Sequence, residues 1–157
     1  HRIRAIVVAT GAVTTLAGSG SEGSADGTGT AASFYYPHGV AASPDGLVVY
    51  VGDTYNHRIR AIVIATGAVT TLAGSGSGGF ADGTGTAARF YHPFGVAASP
   101  DGLVVYVADR NNHRIRAIVI ATGAVTTLAG SGSEGSADGT GTAASFNAPI
   151  GVAVSPD

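Results

Sequence analysis

A chain of 157 residues with eight Arg, no Lys and ten acidic residues carries a formal net charge of −2. Its basic residues form no stripe, which argues against nucleic acid as a partner. Cys is absent, which excludes a disulfide framework and a thiolate metal site and leaves the compartment open, with a secreted or extracellular one favoured. The longest apolar run, residues 103–108, is strand-sized and far short of the roughly 18 residues of a membrane span.

His-Arg-Ile-Arg occurs at residues 1–4, 57–60 and 113–116, a repeat of 56 residues. Residues 1–56 and 57–112 differ at only nine positions. A fixed period of this size marks a supersecondary unit that buries its apolar face by stacking on copies of itself. The chain opens and closes in mid-pattern and reads as a window on a longer array.

In chain order, residues 1–17 supply two strands, counterparts of the third and fourth strands of the next unit. Gly39-Val40-Ala41-Ala42 is a short run of small residues. Ser43-Pro44-Asp45-Gly46 places Pro and Gly where a type I turn favours them. Leu47-Val48-Val49-Tyr50-Val51 is β-branched and aromatic and reads as a strand buried on both faces. Asp53-Thr54-Tyr55-Asn56 is a polar turn, residues 58–64 a third strand, and residues 68–73 a fourth. Thr66-Gly67 joins those two tightly, with Gly able to take a positive φ. A long connection follows. Residues 74–79 are Gly and Ser alone and must be flexible or wrapped on a surface. Beyond them, Asp82 is a candidate N-cap, and Thr86-Ala87-Ala88-Arg89-Phe90 is expected to form about one helical turn with Phe90 packed inward.

Four short strands joined by tight turns make an antiparallel meander, the unit of a β-propeller. The small residues of 39–42 and 95–98 suit the innermost strand, where space near the axis is tight. A parallel β-helix fits less well, because its coils are shorter and lack hairpin turns. The expected fold class is therefore all-β: propeller blades of four antiparallel strands, a fragment of a longer array. On this reading residues 1–38 are a partial blade (strands 3 and 4) with its inter-blade loop. Residues 39–94 and 95–150 are complete blades with their loops, and residues 151–157 are the first strand of the next blade.

Pro93-Phe94-Gly95-Val96-Ala97, Ser99-Pro100-Asp101-Gly102, Val105-Tyr106-Val107-Ala108-Asp109 and Asn112-His113-Arg114-Ile115-Arg116 resemble the NHL repeat, a propeller-blade family. The Gly-rich insert is similar to that of a subgroup with long inter-blade loops. The resemblance implies a binding scaffold in most members and a lyase or hydrolase in a few, and a closed form of six blades.

Asp53 with His57, Arg58 and Arg60 has the composition of a catalytic cluster, but it recurs as Asp109, His113, Arg114 and Arg116. A catalytic site occurs once per domain and a brace once per blade. The resemblance implies that such residues tie the strand 2–3 turn to neighbouring blades, so these eight are read as a structural brace. No catalytic residue, metal ligand or cofactor is assigned. The segment around Asp82 holds one acid in a long Gly-rich stretch, too few oxygens for a calcium coil, and it has no phosphate-loop Lys. Ser and Thr of the inserts are read as solvated loop rather than O-glycosylation sites.

The differences between repeats sort by face. In a meander blade the inter-blade connection and the strand 2–3 turn emerge together, and the other two turns emerge opposite. Glu22/Gly78, Ser24/Phe80, Ser33/Arg89, Tyr36/His92, His38/Phe94, Gly52/Ala108, Thr54/Arg110 and Tyr55/Asn111 all map to the first face, while Ser-Pro-Asp-Gly and Ala-Thr-Gly are constant. Aromatics and Arg are the residue types that anchor binding surfaces. Tyr35, Tyr36, His38, Tyr55, Phe80, Arg89, Tyr91, His92, Phe94, Arg110 and Asn111 are therefore the candidate binding face. The expected function is a non-catalytic scaffold for protein or glycan, or for extracellular structural assembly with further copies of the repeat. The alternative is a propeller lyase or hydrolase with its site at the central channel.

Overall fold

The computed structural model describes residues 1–156. β1 (Ile3–Val7) and β2 (Ala12–Ala17) form an antiparallel hairpin. β3 (Gly27–Thr28), β4 (Pro37–Ala42), β5 (Val48–Asp53), β6 (Arg58–Val63) and β7 (Ala68–Ala73) form one antiparallel sheet in the order β3-β7-β6-β5-β4. β8 (Gly83–Thr84), β9 (Pro93–Ala98), β10 (Val104–Asp109), β11 (Arg114–Val119) and β12 (Ala124–Ala129) repeat it in the order β8-β12-β11-β10-β9. These are propeller blades: each is a four-stranded meander with its first strand innermost.

The turns follow from local chemistry. Gly46 N–H donates to Ser43 O at 2.9 Å, and Gly46 and Gly67 take φ of 71° and 70°. The Ser43 hydroxyl and Leu47 N–H both donate to Asp45, which holds its carboxyl below the usual carboxylate range.

The core lies between the blades, as the repeat requires. One apolar cluster joins Ile3 and Ala17 of the hairpin to Val51, Ile62 and Val69 of the first blade. The other joins Tyr50, Ile59 and Ala73 of the first blade to Val96, Val105, Val107, Ile118 and Val125 of the second. Phe34 and Phe90, at the ends of the inserts, are fully buried in these seams. On the axis side the backbones of neighbouring blades touch. A Cβ on Gly39 or Gly52 would run into the Phe94 carbonyl, and Gly95 N–H donates to Ile150 O at 2.8 Å.

Several details depart from the sequence reading. Leu47 precedes β5 and is 61% exposed, because the strand begins at Val48. The innermost strand begins at Pro37, so His38 lies on it, and Phe94 lies on its counterpart β9. The helical turn is a 3-10 turn over Gly85–Ala87, earlier than expected, and its N-cap residue is Thr84. Asp82 makes no cap; its Oδ1 accepts from Arg116 of the following blade at 2.6 Å. Each of the first two inserts also supplies a two-residue strand to the outer edge of the next blade, Gly27 and Thr28 pairing with Val69 and Ala68, and Gly83 and Thr84 with Val125 and Ala124. The Gly/Ser stretch is wrapped on a surface, with Ser75 N–H donating to Ala88 O and Gly79 N–H to Phe90 O. Residues 151–156 form no strand, and Asp157 lies outside the described residues.

Candidate binding face

At the centre of each blade lies an ion pair closed to water. Asp53 accepts from Tyr35 N–H, Asn56 Nδ2 and Arg60 NH1, each at 2.8 Å, and Asp53 and Arg60 are both fully buried. Arg60 also donates to Ser33 O, Ala25 O and Asp26. The second blade repeats the set, with Asp109 accepting from Tyr91 N–H, Asn112 and Arg116. Burial pushes both carboxyls above their ordinary range, against the pull of these donors. Arg60 and Arg116 leave Nε without a hydrogen bond and lie against the Phe34 and Phe90 rings, at 5.3 and 5.2 Å. The pair thus joins the strand 2–3 turn to the connection that enters the same blade.

The other members of the expected brace go elsewhere. Arg58 reaches Ser24 O at 3.3 Å, and Arg114 reaches Ser131 O at 2.9 Å. His57, in the left-handed region at φ 54°, turns outward; its Nδ1 accepts the His92 backbone N–H at 3.1 Å. His1 does the same for Tyr36 at 3.0 Å, and His113 for Ala148 at 3.1 Å. The three residues held this way have φ of 47°, 53° and 47°, and each precedes a Pro. Left-handed backbone at a non-Gly residue is strained. One His per repeat therefore clamps a strained step at the entry to the next blade.

That step brings rings together on one face. Tyr35, Tyr36 and Tyr55 are mutual neighbours, with centroids 5.1 to 5.5 Å apart. His92 lies 4.8 Å from Tyr55, 4.8 Å from His57 and 5.0 Å from Tyr91. One continuous series of rings thus runs over the turn and connections that join the two blades. Arg110 donates to Asn111 Oδ1 at 2.9 Å, which turns the Asn111 amide nitrogen toward His92 Nδ1, 2.8 Å away. Burial, then the positive charge of Arg110, pushes the His92 imidazole below its ordinary value. Burial, then His92, does the same to His57. Both rings stay neutral near pH 7. At the other end the Glu22 carboxylate, and then burial, raise the Tyr35 hydroxyl.

Nearer the axis, His38 stacks on Phe94 at 4.2 Å, and Arg110 covers Phe94 at 5.4 Å. The sequence placed Phe80 and Arg89 on the same face, but the structure sets them in a separate group. Phe80 lies 3.8 Å under Arg114 and makes no ring–ring contact among the described residues; Arg89 sits beside Gly79. Sequence reasoning missed His57 as part of the ring surface. It also missed Thr54, which is buried and donates to Pro93 O at 2.7 Å across the blade seam. The signal for His57 was its place at a turn rather than within a strand.

The family model of the NHL repeat matches residues 34–62 and 90–118, the two stretches that run from the buried Phe through the innermost strands to the Asp–Arg pair. Each of the two complete blades thus carries a match to the NHL repeat. Over 98% of its length it is 33% identical to Protein SUPPRESSOR OF QUENCHING 1, chloroplastic, of Arabidopsis thaliana, covering 15% of that protein. NHL repeat-containing protein 2 of Homo sapiens is 33% identical over 80% of the chain, which covers 18% of it. The chain therefore spans less than a fifth of the length of these relatives. Among solved structures, an auxiliary nutrient binding protein from Bacteroides thetaiotaomicron superposes with a TM-score of 0.74 at 24% identity, over 97% of this chain and 37% of that one. That likeness is one of fold.

Proposed function

We propose that these NHL blades are a non-catalytic binding scaffold whose ring-bearing face docks protein or glycan. One observation carries the reading: the residues that vary between repeats include Tyr36/His92 and Tyr55/Asn111, which lie in the ring series or bond directly to it. The Ser-Pro-Asp-Gly turns opposite are identical. A rigid β-scaffold with a varied aromatic face matches the composition of recognition surfaces. The axis-side strands support this over a lyase or hydrolase. Apart from His38, whose counterpart is Phe94, they present Pro, Gly, Val and Ala, which offer no acid, base or nucleophile.

A second reading rests on the groove beside β1. It is lined by Ile3, Ile6, Leu16, Val40, Val49 and Ile64, and Ile6 is 64% exposed. Further copies of the repeat, in the same chain or another, would cover it.

Protein and glycan arrays test the main reading. The parent should give specific signals that disappear in a Tyr36→Ser/Tyr55→Ser/His92→Ser variant and persist in Asp45→Ala/Asp101→Ala. The reverse pattern would show that the wrong face was chosen.

A further inference from the structure

We infer that the occupant of the ring face is a neutral glycan chain, an inference that rests on the binding-scaffold reading and narrows it. Three features point to this class of ligand. The first is exposure: Tyr36, Tyr55 and Tyr91 are 53%, 46% and 41% exposed, although each is packed against another ring. These are large apolar surfaces that the fold leaves uncovered. The second is spacing. Steps from Tyr36 to Tyr55, Tyr55 to His92 and His92 to Tyr91 are 5.1, 4.8 and 5.0 Å. These are contact distances of packed rings, so the four make one contiguous aromatic surface. Neighbouring rings are inclined by 50°, 44° and 38°, so they make a faceted ridge rather than one flat plate.

The third feature is the polarity of the ridge. His57 and His92 are held neutral, and their Nδ1 atoms are occupied by the His92 N–H and by Asn111. Each therefore keeps its proton on Nε2, and neither Nε2 has a hydrogen-bond partner among the described residues. The tyrosine hydroxyls add groups that both donate and accept. A sugar ring presents C–H groups on its faces and hydroxyls at its edges. That matches apolar ring faces bordered chiefly by uncharged donors and acceptors, with the Glu22 carboxylate at the Tyr35 end. A polyanionic chain would meet a single guanidinium, Arg110, which is already spent on Asn111 and Phe94.

The experiment is a panel of soluble neutral polysaccharides (β-glucan, xyloglucan, mannan, arabinoxylan), with polygalacturonate and a proline-rich peptide library alongside. Binding is read by calorimetry on the whole chain. At least one neutral polysaccharide should bind, with Tyr55→Ala weakening it about tenfold or more at an unchanged melting temperature, and Tyr55→Phe retaining most of it. Binding of polygalacturonate or peptide alone, lost in Tyr55→Ala, would overturn the neutral-glycan assignment and leave the binding face standing. Neutral glycan binding that Tyr36→Ala and Tyr55→Ala leave untouched would overturn both. Failure of every neutral polysaccharide in the panel would overturn the glycan assignment.

Discussion

Replacing Asp109 with Ala should unfold the second blade well before it affects any ligand. The carboxylate is fully buried and holds three donors at 2.8 Å: Tyr91 N–H, Asn112 Nδ2 and Arg116 NH1. Without it the guanidinium of Arg116, also fully buried, keeps only two carbonyls and the half-exposed carboxylate of Asp82. Breaking a buried pair by removing one partner costs about 3–5 kcal/mol, and a half-exposed carboxylate offsets only part of that. For a chain of this size that is a fall in melting temperature of roughly 10 °C. Circular dichroism during a thermal ramp measures it directly. Asp82→Ala is the control. Its carboxylate is 48% exposed, so its loss should cost about 1 kcal/mol or less. An Asp109→Ala protein that melts within a degree or two of the parent would refute the reasoning, and so would equal losses for the two variants.

Phe90→Ala empties a fully buried site in the seam between the blades and should cost about 3–5 kcal/mol, measured by urea unfolding. Gly39→Ala places a Cβ against the Phe94 carbonyl and must push the innermost strands apart, whereas Gly29→Ala meets open space and carries only the strain of its φ of 56°; thermal melts should rank the first as the more damaging. Stability should also depend on pH through His57 and His92. Their folded-state affinity for a proton is depressed, so the unfolded chain protonates first, and stability that is constant above about pH 6.5 declines as pH falls below it. His57→Gln should flatten that decline; an unchanged slope would assign it to other groups.

The strands were legible because their cues are local: β-branched runs, Pro-Asp-Gly turns and Gly where φ is positive. Phe90 was legible as an inward anchor for the same reason. The strap Gly83–Thr84 was not, since two small residues carry no periodicity and their partners, Val125 and Ala124, lie some forty residues on. Asp82 read as a cap because Asp before a short turn usually is one. Its actual partner, Arg116, is 34 residues away. The cluster Asp53, His57, Arg58 and Arg60 read as a unit because it is compact in sequence. The strand separates it: Arg60 points to the interior and pairs with Asp53, while His57, in a left-handed step, faces the rings. Sequence alone could identify the varied face but could not divide it into the ring ridge, the axial His38–Phe94 pair and the separate Phe80–Arg114 contact.

Amide hydrogen exchange with and without a bound array ligand tests the central claim, that the varied face is the one that binds. Protection should gather at residues 35–38, 54–57 and 91–94, with residues 43–46 and 99–102 unchanged. Protection confined to the Ser-Pro-Asp-Gly turns would contradict the account.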